Sequence, residues 1–135
     1  MLEAQGRREF SGQADQIGAA RRFVGAAIHG GGPARDVTRL LVSEAATNAL
    51  LHSASGDGGT FSVAYLISGD LLRVEVHDGG GPGSPQRRVH HLESMTGRGL
   101  DLFDVLSDRW GVDGSPDGRT VWFELDLASQ EARSG

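Results

Sequence analysis

The stretch that decides the reading is "VSEAATNALLHS", Val42 to Ser53. Its composition favours a helix, yet Glu44, Asn48 and His52 recur every four residues. At about 100° per residue that spacing lines three polar side chains along one narrow stripe. Extended back to Ala34, with Pro33 as the start signal, the helix covers about residues 34–53. Val37, Leu40, Leu41, Ala45 and Leu51 then make the apolar face, and the polar stripe runs down its middle. A buried amide without a partner costs roughly 1–3 kcal/mol, and an unpaired carboxylate costs far more. The stripe therefore either satisfies itself within the fold or lines a cavity that a ligand fills.

Outward from this helix, the pattern alternates between helices and strands. Residues 7–12 read as a short edge strand around Phe10. A first helix runs from Asp15 to His29 on Ile17, Ala20, Phe23, Val24, Ala27 and Ile28, and "GGGP" ends it. "TFSVAYLI" and "LLRVEV" read as two strands joined through Ser68-Gly69-Asp70, a hairpin signal. Leu72, Val74 and Val76 alternate with Arg73 and Glu75, so the sheet has one covered face. Residues 79–96 read as loop. A third helix, about 98–109, carries Leu100, Leu102, Phe103 and Leu106. A second hairpin joins "RWGVD" to "RTVWFELDL" through the turn at 115–118. The sum is an α/β (α+β) two-layer sandwich: three main helices on one face of a mostly antiparallel mixed sheet.

Composition narrows the function classes. The chain has 135 residues, 38% hydrophobic and 23% charged, which describes one ordinary globular domain. No apolar run reaches the length of a membrane span, and "MLEAQGRREF" lacks the apolar core of a signal peptide, so the expected location is cytoplasmic, with no membrane partner. There is no cysteine, which excludes disulfides and thiolate metal sites. The net charge of −5 argues against direct nucleic-acid binding. All 13 basic residues are arginine. Lysine chemistry is thereby excluded, and anion contacts fall to arginine, backbone amides or a metal.

Two further segments carry candidate chemistry. "HDGGGPG" puts Asp78 at a strand end beside the second helix, followed by glycines that let the backbone approach a flat ligand. An Asx turn is the plain structural alternative there. "TGRGLDLF" sets Gly97 and Gly99 around Arg98 at a helix start, where free amides and the macrodipole favour an anion. His90, His91 and Glu93 do not make a convincing metal set, because adjacent histidines rarely share one ion. No Ser, His and carboxylate fall into a hydrolase triad.

In this order and spacing, the segments resemble the GHKL (Bergerat-fold) ATPase/kinase superfamily. "SEAATNALLH" is similar to its N box, Asp78-x-Gly80 to its G1 box, Gly97-x-Gly99-Leu100 to its G2 box, and "GRTVWFEL" to the Thr-containing closing hairpin. Within the superfamily the chain most resembles the small anti-sigma-factor serine/threonine kinases of high-GC bacteria. The resemblance covers about residues 10–127, with 1–9 as an N-terminal segment and 128–135 as a flexible C-terminal tail.

That resemblance implies specific roles. ATP and Mg²⁺ would be the ligands. Asn48 would hold the metal, and Glu44 would be the catalytic base. Asp78 would accept from the adenine amino group with Thr120 in support, Gly80 would admit the ring, and Gly97, Gly99 and Leu100 would bind phosphates. Beyond the motif itself, Arg98 would add charge for the phosphates, and His52 is either a ligand contact or a cap at the helix C-terminus. The partners implied are a sigma factor and an anti-anti-sigma protein of the STAS type, with a homodimer expected. The alternative is a non-catalytic module acting by sequestration. Two departures stand out. Pro82 interrupts the glycines of the G1 box, and the closing turn reads Gly118-Arg119-Thr120, so only Thr120 is carried over.

Overall fold

The computed structural model describes residues 3–28, 32–51, 59–78, 101–115 and 118–134. Within them the chain runs β1 (Glu3–Ser11), α1 (Gln16–Gly25), α2 (Pro33–Leu51), β2 (Thr60–Ser68) and β3 (Leu71–Asp78). It continues through α3 (Asp101–Leu106), β4 (Arg109–Ser115), β5 (Gly118–Asp126) and α4 (Leu127–Ser134). The five strands form one sheet in the order β1-β2-β3-β5-β4, and all four pairings are antiparallel.

The alternation in β3 and β5 separates the two faces. Leu72, Val74, Val76 and Asp78 are buried on β3, as are Arg119, Val121, Phe123 and Leu125 on β5. These residues share the face that the helices cover, because side chains alternate sides along a strand. The helices add Ala20, Val24, Leu41, Val42, Ala45, Ala46 and Ala49 to the same core. Three alanines on α2 keep the helix close to its neighbours. The two-layer sandwich expected from the sequence is the fold observed, with a sheet that is antiparallel throughout its described strands.

The hairpins sit where the turn chemistry places them. Between β2 and β3, Gly69 takes a φ of 61°, as the first central position of a type II′ turn requires. Between β4 and β5, Ser115 pairs with Gly118 across the second turn.

Several boundaries differ from expectation, each for a physical reason. The edge strand begins at Glu3 rather than near residue 7, because Glu3 to Ser11 pair in continuous register with Ser68 to Thr60. The third helix stops at Leu106: the Ser107 amide makes the last bond of its ladder, to the Phe103 carbonyl, and the Asp108 amide turns to the Glu124 carbonyl on β5. Arg109 then opens β4.

The segment expected as a flexible tail is helical. Asp126 Oδ1 accepts from the Ala128 and Ser129 amides at 3.0 and 3.2 Å, an N-cap, and the Leu127 amide donates to the Asp70 carbonyl at 2.7 Å. Gln130 of this helix is buried, and the helix packs on α2.

Candidate nucleotide site

On α2 the polar stripe flanks the core rather than bisecting it. Thr38, Leu41, Val42, Ala45, Ala46 and Ala49 are buried, whereas Leu40 is 43% exposed. The buried arc is therefore centred near Thr38 and Ala45, and the stripe from Leu40 through Glu44 to Asn48 lies along its margin. Asn48 is 5% exposed and Glu44 is half-buried. The correction concerns Leu40 and the centre of the face. Thr38 is a polar group in the buried arc because its hydroxyl donates to the Ala34 carbonyl at 2.7 Å within the helix.

Asp78 ends β3 on the helix-covered face, opposite Arg119 at the start of β5. Arg119 Nε donates to Asp78 Oδ2 at 3.0 Å, with the two side chains 1% and 2% exposed. Arg119 Nη2 donates to the Asn48 main-chain carbonyl at 3.2 Å. One guanidinium thus ties the end of β3 to the C-terminal half of α2, and it brings together Asn48 and Asp78, two of the residues singled out in the sequence. Buried ionic pairs of this kind survive only with good geometry and further hydrogen bonds, and Arg119 has both. Two nitrogens nearby have no partner among the described residues: Asn48 Nδ2 and Arg119 Nη1.

Thr120 is not brought to Asp78. It faces His77 in the β3–β5 register, one residue out of phase with Asp78 and Arg119, so it projects from the opposite face of the sheet. There its hydroxyl shares a 2.7 Å hydrogen bond with His77 Nδ1, while His77 Nε2 lies 3.1 Å from Glu75 Oε1. One neutral tautomer serves both contacts, with Nε2–H donating to Glu75 and Nδ1 accepting from the Thr120 hydroxyl. This parity turns the Thr120 hydroxyl to the face away from Asp78. The residue that meets Asp78 is Arg119, which the sequence reading passed over. The signal was available: Val121, Phe123 and Leu125 mark the covered face, and period two puts residue 119 on it.

The remaining expected site residues, His52, Gly80, Gly97, Arg98, Gly99 and Leu100, lie outside the described residues, as do His90, His91 and Glu93. Among the described residues, no cluster of three His, Cys, Asp or Glu side chains is placed to hold a metal ion. No described helix is long and apolar enough to cross a membrane.

The open face of the sheet carries a separate charged ladder. Glu124 accepts from Arg109 at 2.7 Å and from Arg73 at 3.0 Å, and Arg73 also pairs with Glu75 at 2.9 Å while lying 4.3 Å over the Trp122 ring. The Arg109 hydrogen bond is the largest influence on Glu124; it outweighs partial burial and, with Arg73, holds that carboxyl below its ordinary range.

The donor set near α2 fits a nucleotide with its metal in one respect and resists it in another. The Asn48 Nδ2 has no partner among the described residues at the buried margin of the helix, and turning the amide about χ2 would present its oxygen there, the ligand type that Mg²⁺ takes. The Asp78 carboxylate, in contrast, is already engaged by Arg119.

Residues 10–125 match the family model described as the histidine kinase-like ATPase domain. None of the curated proteins compared with the chain matches it.

Proposed function

Because the chain belongs to the histidine kinase-like ATPase domain family, we propose that it is a cytoplasmic ATP-binding serine/threonine protein kinase of the anti-sigma type. In this reading it transfers the terminal phosphoryl group of ATP to a small anti-anti-sigma protein and sequesters a sigma factor. The observation that carries the reading is the placement of Asn48. It is a buried amide with an unpartnered end, on the same helix as Glu44 and linked through Arg119 to the buried carboxylate of Asp78.

The roles are the ones that the family resemblance implies. Bound Mg²⁺ would neutralise charge on the phosphates, and Asn48 would hold it through its amide oxygen. Glu44, half-buried one turn before Asn48, would accept the proton of the attacking serine or threonine hydroxyl. The hydroxyl oxygen then forms the new bond to phosphorus as the bond to the bridging oxygen of the leaving nucleotide breaks. Asp78 would accept from the base. The backbone at Gly80 and at Gly97, Gly99 and Leu100, with Arg98, would complete the base and phosphate contacts.

Incubation with labelled ATP, Mg²⁺ and candidate anti-anti-sigma proteins tests the kinase directly. Label on a serine or threonine that disappears with Glu44→Gln is the expected result. No label on any candidate, with ATP bound, would favour the second reading, a module that acts by sequestration alone. The engagement of Asp78 by Arg119 is the specific observation on that side.

A further inference from the structure

We propose that Arg119 is a positioning residue of the nucleotide site: it sets Asn48 for the metal by tying the main chain of α2 to Asp78. The inference rests on the reading of Asn48 as the metal ligand and Asp78 as the base acceptor.

Asn48 is 5% exposed, and its Nδ2 has no partner among the described residues. Where the amide sits therefore depends on the main chain that carries it. The nearest buried neighbours along the helix are Ala45, Ala46 and Ala49. Their methyl groups let α2 lie close to its surroundings but offer no polar contact that fixes a direction. Arg119 supplies that contact. Its Nη2 donates to the Asn48 carbonyl at 3.2 Å, and its Nε donates to Asp78 Oδ2 at 3.0 Å. A guanidinium is planar and rigid, so one fork holds both acceptors in a fixed relation.

The two ends of this tie are not equally in need of it. Asp78 lies in a strand that pairs on both sides, with Phe61 on β2 and Arg119 on β5. Asn48 lies in the last described turns of α2, outside the sheet ladder. Loss of the tie should therefore loosen the metal end of the site more than the base end. A carboxylate offers about four acceptor sites, so the bond from Arg119 leaves Asp78 able to take a ligand donor as well. A nucleotide that reaches both residues then meets groups already set with respect to each other, which lowers the ordering cost of binding.

Calorimetric titration of the full chain with ATP, once with Mg²⁺ and once with EDTA, reads the effect as the ratio of the two affinities. The proteins compared are the wild type, Asn48→Ala, Arg119→Lys and the double variant. Lysine keeps a cation opposite Asp78 but lacks the planar fork. A thermal melt reports that each variant is folded, and a general loosening of the fold would lower both affinities together without moving their ratio. In the wild type, Mg²⁺ is expected to strengthen ATP binding by about tenfold or more. In Arg119→Lys that gain should shrink to the level left in Asn48→Ala, while ATP affinity in EDTA stays within about threefold of the wild type. The double variant should lose no more than Asn48→Ala does, because both changes act on the same contact. A folded Arg119→Lys with the wild-type Mg²⁺ gain would overturn the inference, as would a double variant in which the two losses multiply. Arg119→Gln, which keeps a neutral donor toward Asp78, carries the same expectation and replaces a lysine variant that does not fold. Failure of both to fold would mark Arg119 as structural alone and overturn the inference. In all these cases the nucleotide site would stand. A wild type that gains nothing from Mg²⁺, or binds no ATP, would overturn the reading of the site and this inference with it.

Discussion

Asp78 and Arg119 face each other across the β3–β5 pairing, with Nε 3.0 Å from Oδ2 and both side chains almost fully buried. The pair sits where the sheet meets α2, so it is structural cement beside the proposed site. Asp78→Ala leaves a buried guanidinium without its counter-charge and should destabilise the fold by roughly 3–5 kcal/mol. The double change Asp78→Leu with Arg119→Met should recover most of that loss, because well-packed apolar groups often replace a buried ion pair at no cost. Urea denaturation of the single and double variants checks both values.

Gly111 lies opposite Trp122 in the β4–β5 register. A Cβ at Gly111 would come within 2.7 Å of Trp122 Nε1. Gly111→Ala should therefore push the indole aside and cost about 1–3 kcal/mol. The shift would also disturb the Arg73 guanidinium over the Trp122 ring, and tryptophan emission would report it.

Asp126 caps α4 through two main-chain amides. Asp126→Ala should lower stability by about 1 kcal/mol. Hydrogen exchange in residues 127–134 should speed up in that variant, whereas exchange in the core strands should change only with global stability.

Glu124 holds Arg109 and Arg73 on the open face, and its carboxyl is depressed, chiefly by the Arg109 hydrogen bond. A depressed acid contributes stability that is present above its unfolded value and is lost as pH falls through its folded one. Wild type and Glu124→Gln should therefore differ at neutral pH and converge as pH falls below the ordinary glutamate range. The gap should be about 1 kcal/mol or less, because Arg109 is 65% exposed and water screens the pair. Thermal melts at a series of pH values check the sign and the size.

Much of the fold was legible because β3 and β5 alternate cleanly and the hairpin turn at Gly69 carries its own signal. The helix α2 was harder. Leu40 and Leu41 offered two adjacent apolar stripes, and which one faces the sheet was settled by Ala45, Ala46 and Ala49, whose small size lets the neighbours close in. Asn48 was correctly read as buried, yet the stripe runs along the core margin. Asn48 and Asp78 were legible as polar groups on the covered side of the sheet, and their roles, with that of Glu44, belong to the proposal. Thr120 was carried over from the resemblance, and strand parity sets it on the sheet face opposite Asp78. Arg119 was missed because arginine is seldom fully buried without a partner, and its partner lies 41 residues away. A single aspartate cap, not an apolar pattern, starts α4, which spans most of the expected tail.

The central claim is that the polar margin of α2 binds a nucleotide through Asn48. Calorimetric titration with ATP and Mg²⁺ on wild type and Asn48→Ala tests it most directly. The account predicts saturable binding in the wild type and a loss on the order of 1–3 kcal/mol in the variant, or roughly ten- to a hundredfold in affinity. Equal affinity in the two proteins, or no binding in either, would contradict it.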